Sequence, residues 1–282
     1  MLCLPVRTIT SRHNPVIATF RSAERSSRAD RRSILIDGVR LIHDAYRARV
    51  PLEVVAFSNN LLQKQEPTIM RLVRHLESSG VDVIAASTSV IEAMSPVRSP
   101  SGAVALAAHQ PIPMDRVFER PGIVLATIGV QDPGNVGAII RAAEAGGATG
   151  VVVTTGSAEP FGWKALRGAM GSAFRLPVVD IDDPRLAIDT ARAHGATVLA
   201  AVPQGGVSLY DVDLDGPRLV LIGGEGGGLD ATSSDLADHA ISIPMRSEVE
   251  SLNTAVAAAL IVYEARRQRL VTQARRQTEE RA

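Results

Sequence analysis

Leu219-Val-Leu-Ile-Gly223-Gly-Glu225-Gly-Gly-Gly-Leu229-Asp230 decides the fold, because an unbroken apolar run passes here into a glycine loop and the start of a helix. An apolar run without polar alternation is typical of a parallel strand that is buried on both faces. A strand, a glycine loop and a helix in this order indicate a site for a nucleotide-type ligand. No lysine of the Gly-Lys-Ser/Thr type is present, so the loop is not a P-loop. Glu225 is unusual in a simple turn, which favours a functional loop.

A second block, Gln131-Asp-Pro-Gly-Asn135-Val-Gly137-Ala-Ile-Ile-Arg141, follows another apolar run. Its Asp-Pro-Gly triplet predicts a turn, and Asn135 is well placed to cap the helix that follows. Gly137 allows a close approach of the backbone. Arg141 stands among small and apolar neighbours, so it either pairs with a carboxylate or points into a cleft, where it binds a substrate phosphate or a reacting hydroxyl group.

A third block joins Ile241-Ser-Ile243-Pro244-Met245 to Val249-Glu-Ser251-Leu252-Asn253. Pro244 ends the short strand, because proline cannot donate to a sheet ladder. The residues between this strand and the final helix, predicted over 251–270, form a loop that can close over a ligand. Ser251 and Asn253 are both able to cap that helix.

Strands and helices alternate along the chain, which predicts an α/β fold. Two closely spaced prolines interrupt the periodicity in His109-Gln-Pro-Ile-Pro-Met-Asp115, so a linker is expected there. We therefore predict a small α/β domain over residues 1–108, a linker over 109–118 and a second domain over 119–282. The polar residues 272–282 are expected to fray.

Composition excludes several classes of protein. The 282 residues include one cysteine, so no intramolecular disulfide framework is possible, and the apolar runs are too short to span a membrane. The amino terminus lacks a signal-peptide core, and a cytoplasmic protein is expected. The six histidines are scattered without ligand spacing, so no metal site is expected.

The net charge of zero hides a basic amino-terminal region. Residues 1–49 contain ten arginines against four acidic residues, an excess that can bind a phosphate backbone. The alternative is a solvated surface in a protein that uses arginine as its general basic residue. Aromatic residues make up only 3% of the chain, so base stacking on aromatic platforms is not the main means of binding.

Taken in chain order, the three blocks resemble the three motifs of the SpoU (TrmH) family, whose members methylate ribose 2′-hydroxyls of RNA with S-adenosylmethionine. Ala165-Leu-Arg167-Gly168-Ala-Met-Gly-Ser172 is similar to a further family segment, although Gly168 replaces a usual serine. Arg32-Ser-Ile-Leu-Ile-Asp37-Gly38-Val-Arg40 resembles part of the family's small substrate-binding domain, with Asp37 where glutamate is frequent. The resemblance implies a trefoil-knotted SPOUT methyltransferase domain, preceded by a smaller α/β domain that binds RNA, and a homodimer formed with the last helix.

The resemblance also implies roles for individual residues. The catalytic candidates are Arg141, Asn135, Glu225, Ser251 and Asn253. The candidates for binding S-adenosylmethionine are Gly223, Gly224, Ile243, Leu252, Ile222 and Val202. The candidates for binding RNA are Arg12, Arg32, Arg40 and Arg167.

The leading interpretation is therefore a ribose 2′-O-methyltransferase that acts on 23S rRNA. Arginine is a poor base, so Arg141 is expected to hold a phosphate near the ribose, with Asn135 orienting Arg141 or the ribose. Methylation of tRNA and a catalytically inactive RNA-binding protein of the same fold remain alternatives. A dinucleotide-dependent oxidoreductase is a further one, because Gly226-Gly-Gly228-Leu-Asp-Ala231 fits a loosened dinucleotide fingerprint. That fingerprint belongs to the first strand–helix turn of a domain, which argues against this match.

Overall fold

The computed structural model describes residues 7–28 and 30–279. It divides into two compact units. The first unit comprises the residues up to Gln110 together with Phe161–Arg167, and the second comprises Pro111–Pro160 and the residues from Gly168 onward. The predicted domain boundaries, which include terminal residues outside the described ranges, stay a prediction.

The first unit contains a mixed five-stranded sheet with helices between its strands. Its strands are β1 (Arg7–Ile9), β2 (Ser33–Asp37), β3 (Leu52–Ser58), β4 (Asp82–Ala86) and β5 (Ala103–Ala108). Its helices are α1 (Pro15–Arg25), α2 (Val39–Arg47), α3 (Asn59–Gln63), α4 (Pro67–Ser78) and α5 (Thr88–Met94). The strand order is β1-β4-β3-β5-β2, and β5 runs antiparallel to both of its neighbours. Phe20 of α1 and Ile84 of β4 are fully buried in the core of this sheet.

The second unit contains a parallel seven-stranded sheet. Its strands are β6 (Ile123–Ile128), β7 (Gly150–Thr154), β8 (Val178–Ile181), β9 (Thr197–Ala201), β10 (Val207–Ser208), β11 (Arg218–Gly223) and β12 (His239–Ser242). The helices numbered after α5 are α6 (Pro133–Gly146), α7 (Trp163–Ala169), α8 (Pro184–Ala193), α9 (Ala231–Asp235) and α10 (Thr254–Glu279). Residues 163–167 of α7 belong to the first unit. The strand order is β10-β12-β9-β11-β6-β7-β8, and every pair is parallel.

Strand β11 lies in the interior of this sheet, as its apolar run predicted. It pairs with β6 on one side and with β9 on the other, and Leu219, Val220 and Leu221 have no exposed surface. The chain thus inserts β11 between two strands that precede it in sequence. The carboxyl ends of β9, β11 and β12 come together at one edge, where open parallel sheets bind their ligands.

Several elements were not predicted from the sequence, and both predicted boundaries of the last helix were wrong. The missed elements are β1, α1, α3, β8, β10 and α9. Helix α1 has a polar exposed side, which weakened its apolar periodicity, although Asn14 and Pro15 form a typical helix start. The last helix begins at Thr254 instead of residue 251 and continues to Glu279, so the described part of the predicted frayed tail is helical.

No helix within residues 7–28 and 30–279 combines the length and apolar character that a membrane span requires.

Candidate functional site

A cavity of about 560 Å³ lies at the carboxyl ends of β9, β11 and β12 in the second unit. Its volume is in the range typical of small-molecule and cofactor sites. All six predicted cofactor-binding residues line it, and so do three of the predicted catalytic residues. These nine residues are Val202, Ile222, Gly223, Gly224, Ile243, Leu252, Glu225, Ser251 and Asn253. The structure therefore brings the second and third blocks together around one cavity, while the role of each residue stays a prediction.

The glycine loop after β11 is required by backbone packing. A Cβ atom on Gly223 would overlap the backbone of Gly228 and Leu229, and one on Gly224 would overlap the carbonyl group of Gly129. Gly226 and Gly228 have positive φ angles of 84° and 65°, which disfavour residues with a side chain. The loop can therefore fold back on itself and present Glu225 beside the cavity.

Three polar side chains from the three sequence blocks form one hydrogen-bonded chain. Asn253 donates from Nδ2 to Oδ1 of Asn135 at 3.1 Å. Asn135 in turn donates from Nδ2 to Oε1 of Glu225. Because a carboxylate only accepts, the orientation of both amide groups is fixed by these partners. We call Asn135, Glu225 and Asn253 the polar chain.

Asn253 also caps the final helix. The sequence had left Ser251 and Asn253 as alternative caps. The Oδ1 atom of Asn253 accepts hydrogen bonds from the backbone N–H groups of Ala255 and Val256, at 3.0 and 3.2 Å. This capping is why the amide nitrogen of Asn253 points away from α10. The start of α10 is thereby tied to the polar chain.

The prediction that Asn135 caps α6 was wrong. The cap is Asp132, whose Oδ1 accepts from the backbone N–H of Asn135 at 2.8 Å. Asp132-Pro133 already starts the helix, because proline suits the first helical position. Asn135 therefore lies in the first turn of α6, with its side chain free to join the polar chain.

Arg141 is exposed on α6 and is not among the residues that line the cavity. Among the described residues its side chain has no hydrogen bond or ion pair. The alternative that Arg141 merely pairs with a carboxylate of this chain is therefore not supported. The structure likewise gives no hydrogen bond between Arg141 and Asn135, so an orienting role of Asn135 for Arg141 stays a prediction.

The four predicted RNA-binding arginines are all exposed. Arg12 lines a separate cavity of about 770 Å³ beside α1, whereas Arg32, Arg40 and Arg167 do not. Within the first unit, Arg167 acts electrostatically on Asp37. The structure therefore does not gather the four residues on one cavity.

Asp37 is a buried acidic residue of the first unit. Its Oδ2 accepts a hydrogen bond from Oγ of Ser95 at 2.7 Å. Burial raises the pKa of Asp37, and this effect outweighs the opposing influences of Ser95 and Arg167. The carboxylate is thus held in its place at an energetic cost.

Sequence reasoning missed several residues that line the cavity. Leu209 and Ile261 provide apolar wall, Ser234 of α9 adds a hydroxyl group, and Met245 lies in the third block. Met245 was quoted with its block, but no role was assigned to it. Leu209 and Ile261 carried no signal, since buried apolar residues usually serve the core. No group of three or more potential metal ligands occurs in the described part of the chain.

A parallel α/β unit with a ligand cavity at its strand ends, joined to a smaller mixed α/β unit, defines a cofactor-binding protein with a second domain. The model of the SpoU rRNA Methylase family matches residues 122–263. The model of the MRM3-like substrate binding domain matches residues 14–105. The chain belongs to the SpoU family, and the predicted fold class is confirmed.

Curated relatives match most of the chain. A 23S rRNA (guanosine(2553)-2′-O)-methyltransferase of Bacillus subtilis is 31% identical, over 86% of this chain and 92% of its own. A 23S rRNA (uridine(2479)-2′-O)-methyltransferase of Streptomyces viridochromogenes is also 31% identical, over 94% and 93%. Both units are therefore shared with these relatives.

Solved structures show the same likeness. A SpoU methyltransferase from Streptomyces viridochromogenes in complex with AdoMet has a TM-score of 0.82 and 29% identity, over 91% of this chain and 98% of its own. An AdoMet-bound rRNA methyltransferase from Sinorhizobium meliloti has a TM-score of 0.81 and 26% identity, over 93% and 98%.

Proposed function

We propose that this protein transfers a methyl group from S-adenosylmethionine to a ribose 2′-hydroxyl of 23S rRNA. The observation that carries the proposal is the meeting of the three sequence blocks: two line one cavity, and the polar chain joins the first block to them. The two curated relatives described above act on 23S rRNA, which favours this RNA over tRNA.

The cavity fits S-adenosylmethionine in size and chemistry. Backbone groups at Gly223, Ile243 and Leu252 can hold an adenine, and apolar residues such as Ile261 supply the wall. The bound cofactor supplies a methyl group that is already activated by its sulfonium charge. The protein then has to align the hydroxyl group and provide a path for its proton.

Arg141 is the residue that we assign to the reacting ribose. Its guanidinium group is exposed and has no partner within the described residues, so it is available to a substrate phosphate. A phosphate held beside the ribose by Arg141 is positioned to accept the 2′-hydroxyl proton. The ribose oxygen would form the O–CH₃ bond as the S–CH₃ bond of the cofactor breaks, so that S-adenosylhomocysteine leaves. The hydroxyl proton would pass through the phosphate to solvent.

The polar chain holds the first turn of α6 and the glycine loop in place during this reaction. Both polar atoms of the Asn135 side chain are already bonded within the protein. We therefore assign Asn135 as a positioning residue that holds Glu225 and Asn253. Ser251 also lines the cavity but does not belong to the polar chain, so its hydroxyl group is available to the substrate.

We further propose a homodimer formed through α10. Val256, Leu260, Tyr263 and Leu270 are between 40% and 53% exposed, and their spacing of four, three and seven places them on one face. The opposite face, with Ala258 and Val262, is buried. An apolar stripe of this kind on a soluble protein fits a partner helix. We also propose a cytoplasmic location, because the proposed substrate is ribosomal RNA.

Transfer of labelled methyl groups tests the proposed reaction. Wild-type protein and Arg141→Ala are incubated with labelled S-adenosylmethionine and separate pools of unmodified 23S rRNA and tRNA. We expect label in 23S rRNA, a turnover reduced by about 10²- to 10³-fold in the variant, and unchanged cofactor affinity, because Arg141 lies outside the cavity. Label in tRNA alone would contradict the proposed substrate, and an unaffected variant would contradict the role of Arg141.

A further inference from the structure

Helix α1 and the residues at its two ends form an open groove in the first unit. The groove has a volume of about 770 Å³. We call it the α1 groove, and its polar lining consists mainly of Arg12, Asn14, Arg21, Ser22, Arg25 and Ser27. Arg12 was predicted individually as an RNA-binding residue, whereas Arg21 and Arg25 were predicted only as members of the arginine-rich region over residues 1–49.

The groove presents three guanidinium groups. Arg21 donates from Nε to the backbone carbonyl of Ala93 at 3.1 Å, which fixes its side chain and leaves its two terminal nitrogens for a ligand. Arg12 and Arg25 are exposed and have no hydrogen bond or ion pair within the described ranges. Two of the three cations are therefore uncommitted, and the third is held in place.

The acidic content of the groove is low. Asp30 is the one carboxylate among the groove's described lining residues, and its Oδ2 accepts a hydrogen bond from Oγ of Ser27 at 2.8 Å. Arg12, Arg21 and Arg25 outnumber this single carboxylate. The groove consequently has a net positive charge and attracts anions.

The shape and lining favour a chain of phosphates over a single small anion. The 11 residues of α1 extend over roughly 16 Å, and the arginines are distributed from before its first turn to its last. The described lining contains no Phe, Tyr or Trp on which a base could stack, and it offers hydroxyl groups between the cations. Such a surface suits contacts to a nucleic-acid backbone, which position a substrate without reading its sequence.

We propose that the α1 groove binds the phosphodiester backbone of the RNA substrate and thereby orients that RNA on the protein. This proposal rests on the proposed function in so far as the bound RNA is a methylation substrate. It identifies Arg21 and Arg25, together with Arg12, as the principal backbone contacts of the first unit. Arg32 and Arg40 do not line this groove.

The test compares two matched double variants. Arg21→Gln/Arg25→Gln removes two groove cations. Arg71→Gln/Arg74→Gln removes two exposed cations from α4 of the same unit, and Arg74, like Arg21, donates from Nε to a backbone carbonyl. Both variants lose the same charge, so a general electrostatic effect would appear in both.

Dissociation constants are measured for transcribed 23S rRNA and for a tRNA pool over a range of salt concentrations. We expect the groove variant to bind both RNAs about tenfold more weakly than wild type. The negative slope of log K against log salt concentration should become less steep by about 1.5. The α4 variant should stay close to wild type in both quantities. In methyl transfer, KM for RNA should rise while kcat and cofactor affinity stay near their wild-type values.

Equal RNA affinity and salt slope in the groove variant and wild type would overturn the proposal. The proposal would also be overturned if the groove variant lost affinity for inorganic phosphate but not for RNA, since the groove would then be a small-anion site. If wild-type protein transferred no methyl group to any RNA but the groove variant still lost RNA affinity, the proposed function would fail and the α1 groove would stand.

Discussion

At the scale of single residues, the amide group of Asn135 is constrained at both of its polar atoms. It accepts from Asn253 and donates to Glu225, so the two ends of the amide have different requirements. A substitution that keeps the shape of the side chain but changes its donor therefore distinguishes the effect of hydrogen bonding from the effect of shape.

Asn135→Asp tests this constraint. The substitution replaces the donor that faces Glu225 with a carboxylate oxygen, so that two like charges meet. We expect kcat to fall by about tenfold or more, and further than in Asn135→Ala, which removes the bonds without adding a charge. Kinetics of methyl transfer with saturating cofactor measure the effect. An Asp variant as active as wild type at neutral pH would contradict the positioning role.

Asp37 allows a prediction about stability and pH. Burial raises its pKa in the folded protein, so the folded state holds a proton over a pH range in which the unfolded state has lost it. The free energy of unfolding therefore decreases as pH rises from the unfolded pKa, near 3.8, through the folded pKa. At a pH below both pKa values Asp37 is protonated in both states, so this destabilising contribution is absent.

Asp37→Asn should consequently raise the melting temperature at pH 7, since asparagine can still accept from Ser95 and carries no charge to desolvate. The difference from wild type should vanish at pH 3. Thermal unfolding at the two pH values measures it, with Asp44→Asn on the neighbouring helix α2 as a control for loss of a carboxylate. A destabilised Asn variant at pH 7 would show that the attraction between Asp37 and Arg167 exceeds the cost of burial.

At the scale of elements, the start of α6 links local helix chemistry to the site. Asp132 caps the helix and binds the backbone N–H of the same residue, Asn135, whose side chain belongs to the polar chain. A local loss of helical structure at this end would therefore displace the Asn135 side chain, which is hydrogen-bonded to Glu225 beside the cavity.

Asp132→Ala should lower the stability by about 1 kcal/mol, the usual cost of losing such a cap, and should also reduce kcat. Asp183→Ala is the matched control, because Asp183 caps α8 by accepting from the N–H of Arg185 at 2.8 Å and does not line the cavity. We expect the control to lose similar stability and to keep its turnover. Chemical denaturation and methyl-transfer assays distinguish the two effects, and equal turnover in both variants would refute the link.

At the scale of the whole molecule, the long helix α10 both closes the cavity and presents an apolar face to solvent. Ile261 lines the cavity, whereas Leu260 and Tyr263 are exposed on the other side of the helix. Association through this face would therefore act on the same element that supports the site.

Leu260→Glu/Tyr263→Glu should convert a homodimer to a monomer, because two charges would be buried without partners in the interface. Sedimentation velocity measures the change. Leu186→Glu on α8 is the control, since Leu186 is 51% exposed and lies outside the α10 stripe. A monomeric wild-type protein at micromolar concentration would contradict the proposed dimer.

The sequence by itself determined the α/β class, most of the parallel buried strands of the second unit and nine of the residues that line the cavity. Unbroken apolar runs mark strands buried on both faces, and glycines in a row mark backbone that no side chain can share. The resemblance of their blocks to a family placed Gly223, Ile243 and Leu252 at one site, and the structure shows that all three line one cavity.

Only the tertiary structure decided which contacts these residues make. Asp132 and Asn135 are both suitable caps by composition, and the three-dimensional arrangement assigns the cap to Asp132 and frees Asn135 for Glu225, which is 90 residues away. Arg21 and Arg25 became parts of one groove only when α1 folded, because a helix brings residues four apart onto the same face. Local sequence fixes which hydrogen bonds a side chain can make, but the partner that it meets depends on how distant segments pack.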